Sequence, residues 1–310
     1  MKKTPSGHLA GYLHPDYAAS LAEFGAPREL PRCKGWVLVR SVAGSSHRDA
    51  MGCYPLFACQ DWSRLHEDLE TLEGLVSLAL VTDPFGDYSP DYLRRCFPDV
   101  MRPFKEHYVI DLSASPLDSV CRHHRRYARK ALRHVVVERC EEPLAFLDDW
   151  VRLYDHLIER HRIRGIPAFS RRAFEIQLQV PGLIAFRAVY GGKTVGMLLW
   201  YVQGEVGYYH LGASSPAGYE QRASFALFWR AFEYFIERAD LRWLNLGAGA
   251  GLKRNVADGL SRFKRGWATG TRTAYFCGRI FDREKYEHLV RARGVPPTPY
   301  FPAYRLGEFG

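Results

Sequence analysis

No apolar run in this chain approaches the roughly 20 residues needed to cross a bilayer. The basic start, Met1-Lys2-Lys3, is not followed by an apolar signal core. We therefore expect no membrane span and a cytoplasmic location. Seven cysteines, at 33, 53, 59, 96, 121, 140 and 277, form no CxxC pair. An odd count without such pairs indicates neither a disulfide framework nor a zinc site, so most are read as reduced packing residues. His156 and His161 are five apart, not at the four-residue spacing of a helical metal pair. They are read as ordinary helix residues, and no metal is expected. Acidic residues are also short: 34 Asp and Glu stand against 43 Lys and Arg, for a net charge of +9. That excess favours anionic partners such as phosphorylated cofactors or nucleic acid.

What is present fills a core. Hydrophobic residues make up 47% of the 310 positions and aromatics 14%, which excludes a disordered chain and suggests about two domains. Periodicity predicts a helix over Ser115–Arg133, capped by Ser115 with Pro116 in its first turn. Leu117, Val120, Cys121, His124, Tyr127, Ala128, Ala131 and Leu132 lie on its apolar stripe, whereas Arg122, Arg125, Arg126, Arg129, Lys130 and Arg133 lie opposite. Only Asp118 stands at four-residue spacing to one of these cations. A solvated face and an anion-binding face both fit that pattern. A second amphipathic helix spans Leu144–Arg162, and its terminal cations suit the helix dipole. Three strands joined by tight turns follow, at Leu183–Tyr190, Thr194–Val202 and Glu205–Leu211. Ala213–Gly218 is expected as a loop, Glu220–Arg238 as one long helix, Trp267–Gly278 as a strand pair, and the Pro-rich tail 295–305 as surface packing.

The stretch Leu241–Trp267 stands out. A short apolar strand, Arg242–Leu246, breaks into glycines at Gly247, Gly249 and Gly251, followed by Lys253 and Arg254. Ten residues on comes a basic turn, Phe263-Lys264-Arg265-Gly266-Trp267. Glycines let a backbone approach a ligand closely, and amides with Lys and Arg make an anion pocket.

The order of the C-terminal half resembles the acyltransferase fold of the GNAT superfamily. More narrowly, RRYARKALRHVVVE at 125–138, GGKTVGMLLWYV at 191–202, YYHLGASS at 208–215, FALFWRAFEYF at 225–235, LNLGAGAG at 244–251 and DGLSRFKRGW at 258–267 look like the Fem-type aminoacyltransferases and the bacterial acetyltransferases grouped with them. The resemblance covers roughly residues 105–290. It implies an α/β (α+β) chain of tandem GNAT-like domains, each a mixed, largely antiparallel sheet flanked by helices. The expected division is an arm at 1–35, domains at 36–142 and 143–294, and a tail at 295–310, with the active site mainly in the second domain.

The resemblance also implies a donor site at the start of the long helix, on a Q/R-x-x-G-x-G/A loop. The matching positions are Gln221, Arg222 and Ser224, with Ser224 where the pattern has glycine and Gly218 just upstream. The donor is then acetyl-CoA or another acyl-CoA, or in the Fem-type branch an aminoacyl-tRNA. The acceptor would be a small-molecule or peptide amine. Tyr209 and Lys264 are the catalytic candidates, Lys264 as a cation beside the acyl centre. Arg129, Lys130, Lys253, Arg254 and Arg265 are candidates for phosphate. A non-catalytic binding protein on the same scaffold is the remaining reading. Acceptor identity and oligomeric state are left open.

Overall fold

The computed structural model describes residues 9–113, 116–249 and 259–308. Its elements begin with α1 (Pro15–Ala19), β1 (Ala26–Leu30), β2 (Gly35–Ser41), β3 (Arg48–Gly52), α2 (Leu65–Glu70), β4 (Ser77–Val81), α3 (Pro90–Cys96) and β5 (Val100–Asp111). There follow α4 (Pro116–Ser119), α5 (Arg122–Ala131), β6 (Val136–Cys140), α6 (Leu147–His161), α7 (Arg171–Gln177), β7 (Leu183–Tyr190), β8 (Lys193–Gln203) and β9 (Val206–Ser214). The chain closes with α8 (Pro216–Glu220), α9 (Ala223–Ile236), β10 (Trp243–Asn245), α10 (Gly259–Arg265), β11 (Gly270–Ile280) and α11 (Arg283–Ala292). It divides into two compact units. Each contains a mixed, largely antiparallel sheet flanked by helices, the architecture expected from the sequence.

The N-terminal unit comprises Pro15–Phe104, Arg164–Pro167 and Thr273–Gly310. Its strands pair in the order β1, β2, β3, β4, β11, antiparallel except for β3 with β4. The strand β1 lies in a stretch that sequence reading gave to a loose arm. Pro27 cannot donate to a ladder, and it is tolerated because β1 lies at the edge of the sheet. The segment 52–59 ends its ladder at Gly52 and continues as isolated bridges at Phe57 and Cys59. Pro55 has no N–H to extend it. Leu65 and Leu69 of α2 and Leu93 of α3 are buried in one core with Val37, Leu78 and Leu80. The tail also departs from expectation: Tyr304 and Arg305 are buried, 1% and 9% exposed.

The C-terminal unit comprises residues up to His14, Lys105–Ile163 and Ala168–Arg272. Its strands pair in the order β5, β10, β9, β8, β7, β6, all antiparallel except β10 with β9. On one face, α9 buries Phe228, Phe232 and Phe235 in a core with Trp200 of β8 and Ala128 of α5. Each such ring stabilises the unit by roughly 1.5–3 kcal/mol. On the other face, Trp150 and Tyr154 of α6 pack against Phe174 of α7, and Ser170 caps α7 through Ala173 N. The turn at Gly11–Leu13 also docks on this face: the Tyr12 hydroxyl lies 3.1 Å from His210 Nδ1. The helix expected over Ser115–Arg133 is two helices, α4 and α5; its proposed cap, Ser115, lies outside the described residues. The long helix expected at 220–238 is α9, at 223–236; the expected loop at 213–218 holds most of a further short helix, α8, and Trp267–Gly278 contributes one strand, β11, instead of a pair.

Two buried histidines of this unit set an acid limit. Burial pushes His107 down to about 4 and His210 down to about 3, against an ordinary value of 6.5. The unfolded chain then binds protons that the folded chain refuses. Stability is complete above about pH 6.5 and falls as pH drops from there toward the folded values. Each histidine contributes about 1.4 kcal/mol per pH unit in that window. Urea melts at pH 7, 6 and 5 should show this loss, and His210→Phe should reduce the slope. A slope unchanged by the substitution would remove His210 from the explanation.

Candidate functional site

The site begins where two strands part. β10 runs parallel to β9 for three pairs, ending at Asn245↔Tyr208. Beyond Asn245 the chain stays with β5, through Leu246 N to Tyr108 O (2.8 Å) and Tyr108 N to Gly247 O (3.1 Å). Meanwhile β9 continues to Ser214. Helix α10 places Lys264 beside this divergence. Lys264 is 6% exposed; its Nζ donates to Ala248 O at 2.7 Å and lies 5.4 Å from the Tyr209 ring centroid. Gly247 has φ +72°, and a Cβ there would stand 3.2 Å from Lys264 Nζ. The glycine therefore serves both the left-handed turn and the space for the ammonium.

The Phe263–Trp267 segment is thus the end of a helix, not the basic turn expected. Phe263 and Trp267 join Phe225, Phe228 and His124 in one aromatic cluster. A Cβ on Gly266 would lie 2.3 Å from the His124 ring, so only glycine fits. Arg265 turns toward Tyr108, with Nη2 3.4 Å from its hydroxyl. The two neighbouring cations therefore have different surroundings.

Strand alternation puts Tyr209 on the α9 face, packed on Trp200 and Phe228. Tyr208 and His210 lie on the other face, against Tyr12. A register shift opposite Leu199 and Trp200 interrupts the ladder here. The Tyr209 hydroxyl overlies Gly212, where an added Cβ would come within 2.5 Å. Burial, with a smaller contribution from the Tyr219 phenol, pushes the Tyr209 hydroxyl above its ordinary value. It remains a phenol at neutral pH and suits a donor better than a base. Asn245 was not foreseen. Its Oδ1 accepts from Gly247 N at 2.8 Å and lies 3.1 Å from His107 Nδ1. An amide oxygen only accepts, so His107 carries its proton on Nδ1.

The donor candidates lie at the start of α9. Arg222 has φ 56° and separates α8 from α9. Its guanidinium stacks on Tyr127 of α5, 4.2 Å from the ring centroid. The first amides of α9, at Ala223 and Ser224, have no carbonyl within the helix to bond, as an anion site requires. Gln221 is half-buried and forms the C-cap of α8, its amide bonded to Ala217 O. Gly218 sits apart from these amides in role: its N–H donates to Ser215 Oγ at 3.2 Å, and a Cβ there would meet Val195 O at 2.1 Å. On α5, Arg122, Arg126, Arg129 and Lys130 are exposed and Arg125 is half-buried. Tyr127 of that helix joins it to Arg222 and Phe225. Lys253 and Arg254 lie outside the described residues.

Sequence reading passed over a cleft of about 340 Å³ lined by His156, Glu159, Arg160, Ser214, Pro216 and Tyr219. It opens at the end of β9 and the C-terminal turn of α6. The Arg160 guanidinium stands 4.3 Å from the Tyr219 ring centroid. His156 and Arg160 are one helical turn apart, a signal that the dipole argument had absorbed. A larger cleft of about 500 Å³ lies in the N-terminal unit. It contains the ion pairs Arg279–Glu70 and Lys285–Asp282. Neither cleft is lined by a sequence candidate, but Ser214 of the smaller one ends the strand that carries Tyr209, and its Pro216 and Tyr219 lie on the helix that carries Gly218.

Among the described residues no helix is long and apolar enough to cross a membrane. Residues 119–265 match the family model described as "Acetyltransferase (GNAT) domain". No curated protein matches the chain significantly in sequence. Among solved structures, FemX superposes with a TM-score of 0.63 at 15% identity, covering 88% of this chain and 93% of that one. The C-terminal domain (DUF2156) of a putative lysylphosphatidylglycerol synthetase from Agrobacterium fabrum gives 0.57 at 16% identity, covering 85% and 87%. L-PGS from Bacillus licheniformis gives 0.51 at 14% identity, covering 88% and 94%. At these identities the likeness is one of fold. The family match spans α5 to α10, the elements that build the candidate site, and over residues 119–265 the chain matches the acetyltransferase (GNAT) domain family.

Proposed function

We propose that the protein is an N-acyltransferase that moves an acetyl or other acyl group from an acyl-CoA to an amine. The observation that carries this is the buried Lys264 ammonium beside Tyr209, where β9 and β10 part. The α9 amides at Ala223 and Ser224, with Arg222, would hold the donor's phosphates. The donor supplies an activated thioester carbonyl. Lys264 stabilises negative charge that develops on the carbonyl oxygen. Tyr209, kept neutral by burial, donates its proton toward the leaving sulfur and is reprotonated from water, which receives the proton that the amine gives up. The amine enters by the cleft at Glu159, Arg160 and Tyr219 and loses its proton to water.

A second reading takes an aminoacyl-tRNA as donor. It is favoured by the exposed α5 cations Arg122, Arg126, Arg129 and Lys130, which together with Arg222 would face a phosphate backbone. Binding of that kind falls steeply with salt. The test is thiol release from acetyl-CoA on addition of a panel of primary amines. Amine-dependent release supports the first reading. Release no faster than hydrolysis with every amine, together with consumption of aminoacyl-tRNA, supports the second.

A further inference from the structure

Six of the seven cysteines are buried, and Cys121 alone is partly exposed. Burial pushes the thiols of Cys53 and Cys140 up, to about 12 and about 11. It raises Cys59, Cys96 and Cys277 as well. Buried, protonated thiols are inert. Cys121 differs in place and in partner. It is the N-terminal cap residue of the ten-residue helix α5, and its side chain makes no capping hydrogen bond. Its Sγ instead lies 2.9 Å from His124 Nδ1.

The other ring nitrogen, His124 Nε2, lies 2.9 Å from the carbonyl oxygen of Phe263. A carbonyl only accepts, so Nε2 carries the proton and Nδ1 turns its lone pair to the sulfur. Burial lowers the His124 pKa, which favours the neutral ring that presents this lone pair. The ring is held in place by Phe225, Phe263 and Trp267, with centroids at 5.1, 5.4 and 4.9 Å, and by Gly266 against its face. A nucleophile, a base within reach and a third group that orients the base make up an activated nucleophile. Of the groups packed on His124 from α5, α9 and α10, His123 is the titratable one. Arg122 and Arg125 follow Cys121 in the first turn of α5 and set positive charge beside the sulfur for an anionic reactant.

We propose that Cys121 and His124 form a reactive-thiol site that exchanges with anionic, low-molecular-weight disulfides. In the exchange the thiol proton passes to His124 Nδ1. The Cys121 sulfur forms a bond to one sulfur of the disulfide, the original S–S bond breaks, and the departing thiolate takes the proton from His124. The disulfide is the only co-reactant, and the cationic first turn of α5 selects for negative charge on it.

The experiment treats the native full-length protein with 5,5′-dithiobis(2-nitrobenzoate) at pH 7 and follows it by intact mass and peptide mapping. We expect one fast equivalent, mapped to Cys121, reacting about tenfold or more faster than glutathione under the same conditions. High salt should slow it. The neutral 2-hydroxyethyl disulfide should lose most of the advantage over glutathione. Cys121→Ser should abolish the fast phase, and His124→Gln should bring its rate to that of a free thiol. Because His124→Gln also alters packing on Phe225, Phe263 and Trp267, the wild-type result decides: a first label on another cysteine, or a Cys121 rate no greater than that of glutathione, overturns the proposal.

Discussion

Lys264→Met lowers kcat about 10²–10³-fold with little change in KM for the donor. That is the range for removing one preorganised group from a developing oxyanion, and methionine keeps the stem while deleting the charge. Lys264 is 6% exposed, and its hydrogen bond to Ala248 O holds the ammonium before any substrate arrives. A charge so placed costs little reorganisation during reaction. The substitution also removes a buried polar contact, so about 1–3 kcal/mol of stability should go with it; melting curves taken alongside the kinetics separate the two effects. Turnover within threefold of wild type would take Lys264 out of the mechanism.

Asp49→Ala destabilises the N-terminal unit by about 3–5 kcal/mol, the cost of leaving a buried charge without its partner. Asp49 is 0% exposed. It accepts from Arg305 Nε at 2.5 Å and Nη2 at 2.8 Å, and from the Tyr304 hydroxyl at 3.0 Å. Arg40 Nε lies 3.6 Å from it. Arg305 also donates to Ser41 O at 2.9 Å, and Glu308 bridges Arg40 and Arg305 at 2.8 and 3.1 Å. The network ties the C-terminal tail to β2 and β3, and the remaining carboxylate, Glu308, has a side chain 32% exposed, so it compensates poorly. Asp49→Asn, which keeps part of the hydrogen bonding, should cost less. A urea midpoint for Asp49→Ala equal to wild type would mean that the tail contributes nothing to this unit's stability.

The contrast between these two residues illustrates how much the sequence reveals. Lys264 was legible because it stands in a dense local pattern, between Phe263 and Trp267 and after a glycine-rich break. Asp49 was not, because its partners are 256 residues away in a Pro-rich tail. The same limit applies at the site. Apolar spacing located α5, α6 and α9, since burial follows helical period. It did not locate α8, because Pro216–Glu220 is too short to show a helical period and holds Pro216 and Gly218, which carry turn signals. The turn from α8 into α9 is made by Arg222 at positive φ, a residue type that carries no turn signal. Gly266 looked like part of a basic turn. Its reason is a contact with His124, more than a hundred positions earlier. The cleft at His156, Glu159 and Arg160 escaped because polar residues on the exposed side of an amphipathic helix look alike until a strand end and a second helix close over them.

The most direct test of the proposed function is a melting curve of the purified protein with acetyl-CoA, CoA and aminoacyl-tRNA, each at low and high salt. A ligand at about 100 times its Kd adds roughly 2.7 kcal/mol of stability, a shift of several degrees. The account predicts stabilisation by both acetyl-CoA and CoA that is largely kept at high salt and diminished in Arg222→Ala. A shift with aminoacyl-tRNA alone, lost at high salt, would contradict the thioester donor. No shift with any of the three would contradict the transferase itself and leave a binding protein on a GNAT scaffold.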